Sequence, residues 1–487
     1  MDQHSGTKAN YVKTEAVSNN GMVATKDKLS TEAGLEILKL GGNAVDAGIA
    51  ACLAVGVVEP ESSGIGGGGY MTFQVGEQGG VIGFPMKGPL NGTPEMYELT
   101  GESSVGSFGW AGVKNNENIH GYKSIAVPGC IAGLLEAHKR FGKIPLSEVV
   151  SPAVKLARDG FYPEWFTLYK FASLTEMLLR YEELGKTFMP SGILPFGGID
   201  GPYTLKQKNL ANTLQVIGKH GLDGFYRSEI TENIVNDIQN NGGILTMEDF
   251  DQYKPFFWDK GLEFKYRDKI IRVPKYACAG ITSAMTLKTL NGFDLSRLDH
   301  NSSEMLHLYI SSARMAYADR FKYVADPEFA DVPWNGMISD KYIEKRQKEI
   351  KDTAPSTFKA GNPWIEEGRD PKFVLESSQP RPDSGTTHLG VIDKDGNAVS
   401  ITNTIMSGFG SGIIPKNTGV VMNNGMMWYD PTPNRVNSIA SGKFPLNNMT
   451  PALVIGKDGV EISVGASGGR RITNCVTSLL VKMIDYK

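Results

Sequence analysis

At 487 residues the chain is longer than one ordinary domain, and 40% hydrophobic against 21% charged residues is the balance of a globular protein that builds its core without staples. Fifty Lys and Arg against 53 Asp and Glu leave a net charge of −3, which excludes the basic face that a nucleic-acid partner requires. The cysteines Cys52, Cys130, Cys278 and Cys475 form no C-x-x-C pair, so no disulfide framework or structural zinc is expected, and the longest weakly polar run, 47–58, is too short to span a membrane.

Residues 1–21 carry no apolar leader and little periodicity; they read as a loose tail, and with unpaired thiols they set the expectation of a cytoplasmic protein. Ser30 reads as the cap of a helix over 31–40, closed by Gly41-Gly42. A second helix over 45–58 is rich in Ala and Gly and stops at Glu59-Pro60-Glu61, and the glycine run 64–69 leads into an alternating strand over 70–75. The middle reads as helical over 130–141, 146–159, 213–220, 229–240 and 306–321. Proline-rich, charged residues 350–385 read as an extended, exposed linker. Short β-branched runs follow over 387–392, 398–404, 419–423 and 460–464, and a helix over 472–484 closes the sequence. Helices followed by a strand-rich tail predict stacked helix and sheet layers.

Three motifs bear on chemistry. Gly64-Ile-Gly-Gly-Gly-Gly69 satisfies G-x-G-x-x-G, but a helix precedes it and a strand follows. A dinucleotide site needs the opposite order, so this is a close-packed loop. Gly465-Ala-Ser-Gly-Gly469 matches G-x-S-x-G between a strand and a helix, which would make Ser467 a nucleophile. The last histidine, His388, lies before it, so the Ser–acid–His order fails. What survives is a pair of glycine amides at a helix N-terminus, suited to holding an oxyanion. The seven histidines form no H-E-x-x-H, and neither a metal nor a cofactor is expected.

The third motif is Asp383-Ser-Gly-Thr-Thr-His-Leu-Gly390, where the linker meets the first strand of the tail. Attack of the Thr386 hydroxyl on the Gly385 carbonyl would give an ester, and hydrolysis would free a threonine carrying hydroxyl and α-amine together. That amine, with an ordinary pKa of about 8, is its own general base.

Together these motifs resemble the γ-glutamyltransferase (γ-glutamyl transpeptidase) family of N-terminal-nucleophile hydrolases. The matching residues are Gly41-Gly-Asn-Ala-Val-Asp-Ala47, Gly66 to Gly69, Val127-Pro-Gly129 with Ala132-Gly-Leu134, and Ala316-Tyr-Ala-Asp-Arg320 with Asp326-Pro327. Thr386-Thr-His388, Val391-Ile-Asp-Lys-Asp-Gly-Asn-Ala-Val399, Thr402-Asn-Thr404, Pro445-Leu446, Met449-Thr-Pro451 and Gly468-Gly469 continue in the family's order. The resemblance implies an α+β fold, a four-layer αββα sandwich built from a large-subunit part, 22–385, and a small-subunit part, 386–487, that stay together after cleavage. It makes Thr386 nucleophile and amine base, Thr404 its hydroxyl neighbour, and Gly468 and Gly469 the oxyanion hole. The substrate would be a small-molecule amide or peptide whose acyl group passes to water or an amine.

The departures fall on the pocket that holds the glutamyl head group. Pro85 stands where the family has arginine, with Lys87 the nearest cation. Met406 replaces an asparagine, Gly425 a Gln or Glu, Trp428 the acid that binds the amine, and Asn447-Asn448 a serine pair. A zwitterionic head buried there would lack partners, so an acyl group without the free α-amine, or a flat or apolar amide, is expected. Family members also continue with further strands beyond 472–484, so either the sheet is shorter here or the sequence is incomplete, and missing strands would leave edges exposed. The alternative reading is an uncleaved, non-catalytic member that binds a small molecule or partner.

Overall fold

In the computed structural model, residues 15–103, 110–197, 201, 203–373, 375–376 and 385–486 are described. Their strands are β1 (Gly21–Ala24), β2 (Gly68–Val75), β3 (Gln78–Phe84), β4 (Leu99–Ser103), β5 (Ala111–Val113), β6 (Phe256–Asp259), β7 (Leu262–Tyr266), β8 (Lys269–Val273), β9 (Thr387–Asp393), β10 (Ala398–Thr404), β11 (Ala452–Gly456) and β12 (Gly459–Val464). One sheet has the order β1-β9-β10-β2-β3-β6 and a second β12-β11-β8-β7, while β4 and β5 form a separate ribbon. All of these pairings are antiparallel.

The two sheets lie face to face. Ser400 Oγ donates to the Val464 carbonyl at 3.1 Å, Ser463 Oγ to Val399 at 3.0 Å, and Thr72 Oγ1 to Pro451 at 2.8 Å. The helix Ala44–Val58 covers the outer face of the larger sheet and buries every one of its residues. Its Gly48 explains why small residues are needed: a Cβ there would sit 2.7 Å from Val399 Cγ2 of β10. Helices Lys28–Lys39, Cys130–Phe141, Leu146–Asp159 and Lys208–His220 complete that layer. Gly280–Leu290, Ser303–Tyr323 and Arg471–Asp485 cover the smaller sheet. The result is the αββα sandwich of mixed helix and sheet that the sequence resemblance implied. No helix among the described residues is long and apolar enough to cross a membrane.

Several local expectations are corrected. The first helix is capped by Asp27 rather than Ser30, because the Asp27 carboxylate accepts from Leu29 N at 2.7 Å and Ser30 N at 3.3 Å. The run 419–423 is no strand; Gly419, at φ +66°, lies against the backbone of Leu210, and Met422 N instead bonds the Ile413 carbonyl at 2.9 Å. The proline-rich stretch 350–385 is not simply exposed. It contains the short helix Trp364–Glu367, whose Trp364 is buried under Arg369, itself bonded to Asp331. Residues 374 and 377–384 of that stretch, and 1–14 of the N-terminal tail, lie outside the described residues. The tail ends in structure, since Gly21 opens β1 opposite Asp393. Strands are also not confined to the C-terminal part: β2, β3 and β6 join the same sheet as β9 and β10.

Candidate active site

Strand register brings the hydroxyls of Thr386 and Thr404 together. β9 starts at Thr387 opposite Asn403 of β10, so the residue just before β9 and the last residue of β10 share one sheet end. The glycine run sits beneath this end: a Cβ on Gly67 would lie 2.1 Å from the Thr404 carbonyl oxygen. That close approach is what the glycines are for, and no dinucleotide is required to explain them.

Thr386 is 7% exposed, and its hydroxyl donates to the carbonyl oxygen of Gly385, the residue before it. Thr404 Oγ1 donates to the same carbonyl oxygen at 2.5 Å, stands 3.5 Å from Thr386 Oγ1, and accepts from Met406 N at 2.8 Å. The Thr386 hydroxyl thus adjoins a carbonyl whose oxygen is already held by a second hydroxyl. Gly385 is pinned in place, since a Cβ on it would approach the Met406 carbonyl oxygen to 2.5 Å.

Gly468 (φ 119°) and Gly469 (φ 58°) lie at positive φ directly before the helix Arg471–Asp485. The start of their turn is seated on β9: a Cβ on Gly465 would be 2.2 Å from His388 Nδ1, two residues beyond Thr386. His388 itself is half-buried, hydrogen-bonded to Thr402 Oγ1 at 3.1 Å, and pushed down to about 4 by desolvation, so it is a neutral prop and not a proton carrier. Ser467 is exposed at the crest of the turn.

The pocket positions are largely apolar and closed. Met406, Met427, Trp428, Met449 and Trp110 belong to one buried cluster. Gly425 has no room for a larger side chain, because a Cβ would meet Ala126 Cβ at 2.8 Å. Asn447 is spent on structure, donating to Ala277 O at 2.9 Å and Tyr70 OH at 3.0 Å. Asn448 Oδ1 accepts from Arg320 Nη2 at 3.1 Å. Lys87 is not gathered with the others; its ammonium lies over the Phe444 ring, 5.4 Å from the centroid.

Sequence reasoning missed two acidic neighbours of the site. Glu59 and Glu61 read there only as a helix stop, yet both are buried. Glu61 is 1% exposed, one of its carboxylate oxygens has no partner, and it lines a cavity of about 410 Å³ together with His120, Lys170, Gly385, Ser407 and Met427. Desolvation first, then the charge of Glu59, pushes its carboxyl up to about 7. The signal in the sequence was two acids flanking a proline immediately before a glycine run.

The family model described as gamma-glutamyltranspeptidase matches residues 30–487. The chain is 33% identical over 478 residues to the glutathione hydrolase proenzyme of Bacillus subtilis (strain 168), covering 96% of this chain and 78% of that one. It is 31% identical over 477 residues to the acylase ACY 1 proenzyme of Pseudomonas sp. (strain V22), covering 98% and 81%. Among solved structures, cephalosporin acylase from Bacillus halodurans superposes with a TM-score of 0.84 at 26% identity, covering 100% of this chain and 84% of that chain. Helicobacter pylori gamma-glutamyltranspeptidase superposes with a TM-score of 0.64 at 30% identity, covering 71% and 95%.

Proposed function

The chain belongs to the gamma-glutamyltranspeptidase family, whose glutathione hydrolase and acylase relatives make it an amide-hydrolysing enzyme by type, and within that family we propose that it is a self-cleaving threonine amidohydrolase or acyltransferase. The observation that carries this reading is the Gly385–Thr386 junction, where the Thr404 hydroxyl holds the Gly385 carbonyl oxygen at 2.5 Å beside the Thr386 hydroxyl.

In maturation, Thr386 Oγ1 attacks the Gly385 carbonyl carbon while Thr404 stabilises the charge developing on its oxygen. The C–N bond breaks, the nitrogen takes the proton, and an ester joins Gly385 to Thr386. Water hydrolyses the ester, leaving a carboxylate on Gly385 and a free amine and hydroxyl on Thr386. In turnover that amine takes the hydroxyl proton as Oγ1 attacks a substrate amide, and Gly468 and Gly469 offer their N–H groups to the oxyanion. The leaving amine departs with a proton, and water or a second amine releases the acyl group from Thr386. Parts 22–385 and 386–487 stay associated, because β9 and β10 are interior strands of a sheet whose other members precede the break.

The proenzyme relatives support this reading, as does the Helicobacter pylori chain, which is 95% covered while matching only 71% of this one, as a separate large piece would. Intact mass under denaturing conditions tests it. The 52.9 kDa chain should give pieces of roughly 42 and 11 kDa, with residue mass taken as uniform, and Thr386 should be the new N-terminus. A single uncleaved species would favour a non-catalytic member.

A further inference from the structure

Before cleavage, Thr386 lacks the base that serves it afterwards. Its nitrogen is part of the Gly385–Thr386 amide, so no α-amine exists to take the hydroxyl proton, and self-cleavage needs another acceptor. His388 does not supply it, being bonded to Thr402 Oγ1 and pushed down to about 4.

The segment 59–69 wraps the junction. Gly67 lies under the Thr404 carbonyl, and Asn403 Nδ2 donates to Ser63 Oγ at 2.9 Å and to the Gly64 carbonyl at 3.2 Å. Gly385 packs on the loop 406–408, where a Cβ on it would lie 3.4 Å from Gly408 N. The next amide of that loop, Phe409 N, donates to the Glu61 carbonyl oxygen at 3.0 Å. Neighbouring residues of one loop therefore hold Gly385 and Glu61, and both line the cavity of about 410 Å³. Glu61 Oε1 accepts from Ser62 Oγ at 3.1 Å, while Oε2 is buried without a partner.

The other titratable side chains lining this cavity are His120 and Lys170. Both ring nitrogens of His120 are engaged, Nδ1 with Tyr181 OH at 2.9 Å and Nε2 with Arg180 Nη1 at 3.1 Å. Lys170 is a donor only, its ammonium 5.7 Å from the centroid of the Phe166 ring. Glu59, behind Glu61, is paired with Lys26 at 2.6 Å. Among the described residues this leaves a half-satisfied carboxylate, in a cavity roomy enough for water, as the proton acceptor nearest the junction on this side.

We propose that Glu61 is the base of self-cleavage, taking the Thr386 hydroxyl proton through a water in this cavity and returning it to the Thr386 nitrogen. The hydroxyl turns from the Gly385 carbonyl oxygen toward the cavity. The water gives a proton to Glu61 and takes the one on Oγ1 as Oγ1 bonds to the Gly385 carbonyl carbon. The C–N bond then breaks as a proton returns from Glu61 through the water to the nitrogen, which leaves the ester and restores the carboxylate. Desolvation first, then Glu59, raises the carboxyl to about 7 against the opposing effects of Lys26 and Ser62, which suits a group that must both take and return a proton. The proposal rests on the self-cleavage reading given above.

The test uses the full-length chain made by cell-free translation and diluted into buffers from about pH 5 to about pH 9, with the cleaved fraction followed in time on a denaturing gel. The wild-type rate rises with pH and levels off above an inflection near 7. Glu61→Gln slows cleavage by about 10²-fold or more and removes the inflection, whereas Glu61→Asp keeps the inflection and part of the rate. Glu59→Gln moves the inflection to lower pH, because it removes the negative charge that raises Glu61. A wild-type chain that cleaves, with the rate or the inflection unchanged in Glu61→Gln, overturns the role of Glu61 alone. A wild-type chain that stays whole at every pH overturns the self-cleavage reading and this proposal with it. If thermal melting shows that Glu61→Gln does not fold, Glu59→Gln decides, and an inflection that stays in place overturns the proposal.

Discussion

Two walls meet at Thr386, and they are built differently. The wall proposed to react is polar and held by backbone: Thr386 and Thr404 sit at adjoining strand ends, on glycines that admit no side chain, and are fixed by ladder register. The wall proposed for recognition is made of side chains, with Met406, Met427, Trp428 and Met449 in one buried apolar cluster. Chemistry that depends on register survives side-chain replacement, because the hydrogen bond from Thr404 to the Gly385 carbonyl asks nothing of Trp428. Recognition does not survive it. The same scaffold can therefore keep acyl transfer to a threonine while exchanging one head group for another.

The reacting wall breaks first at its nucleophile. Thr386→Ala should leave a single uncleaved chain and reduce hydrolysis of any accepted amide by about 10⁴-fold or more. A variant that still splits, or still turns over, would remove Thr386 from the mechanism. Thr404→Ala should slow the appearance of the two pieces by about 10²- to 10³-fold, the usual cost of one oxyanion donor. The readout is the time course of the cleaved fraction on a denaturing gel. Equal rates would mean that the 2.5 Å bond to Gly385 plays no part in the step.

How legible each wall was in the sequence follows the same division. Helices Cys130–Phe141, Leu146–Asp159 and Glu229–Asn240 and strand β10 lie where hydrophobic spacing puts them, since one face of each is buried and period alone marks it. β3 was illegible because Gly79, Gly80 and Gly83 replace the β-branched residues that would signal a strand. The reason is packing: a Cβ on Gly79 would lie 2.0 Å from Arg272 Nη1, which bonds the Phe73 carbonyl across the two sheets. Thr386, Thr404 and the glycine pair could be proposed from the sequence because short motifs hold them. Asn447 was misjudged, since nothing local reveals that Tyr70 and Ala277 use its amide. Glu61 depends on burial and on the cavity it lines, which exist only once distant segments fold together.

Glu61 sharpens the comparison through pH. Its carboxyl is raised from 4.5 to about 7, so the folded state binds that proton more tightly than the unfolded chain does. This contribution to stability is complete below pH 4.5 and is lost as pH rises through about 7. Glu61→Gln removes the titration, and its melting temperature relative to wild type should rise between pH 5 and pH 8. A difference that stays constant over that range would place the titration elsewhere and weaken the case for a buried, half-satisfied acid beside the scissile bond.

Ser467 gives the smallest expected effect and the sharpest division between side chain and backbone. It sits in a G-x-S-x-G turn between β12 and a helix, the surroundings of a serine nucleophile, yet its side chain is exposed. If the turn acts through the amides of Gly468 and Gly469, Ser467→Ala leaves their backbone untouched, and kcat/KM should stay within about twofold of wild type, since a surface substitution away from the reacting groups costs little. Gly469→Ala, by contrast, forces a side chain onto a residue at φ 58° and should impair turnover by disturbing the amides themselves. If Ser467→Ala were the variant that lost activity and Gly469→Ala the one that kept it, the hydroxyl and not the backbone would be the working part of this turn, and the reacting wall would have to be rebuilt around Ser467.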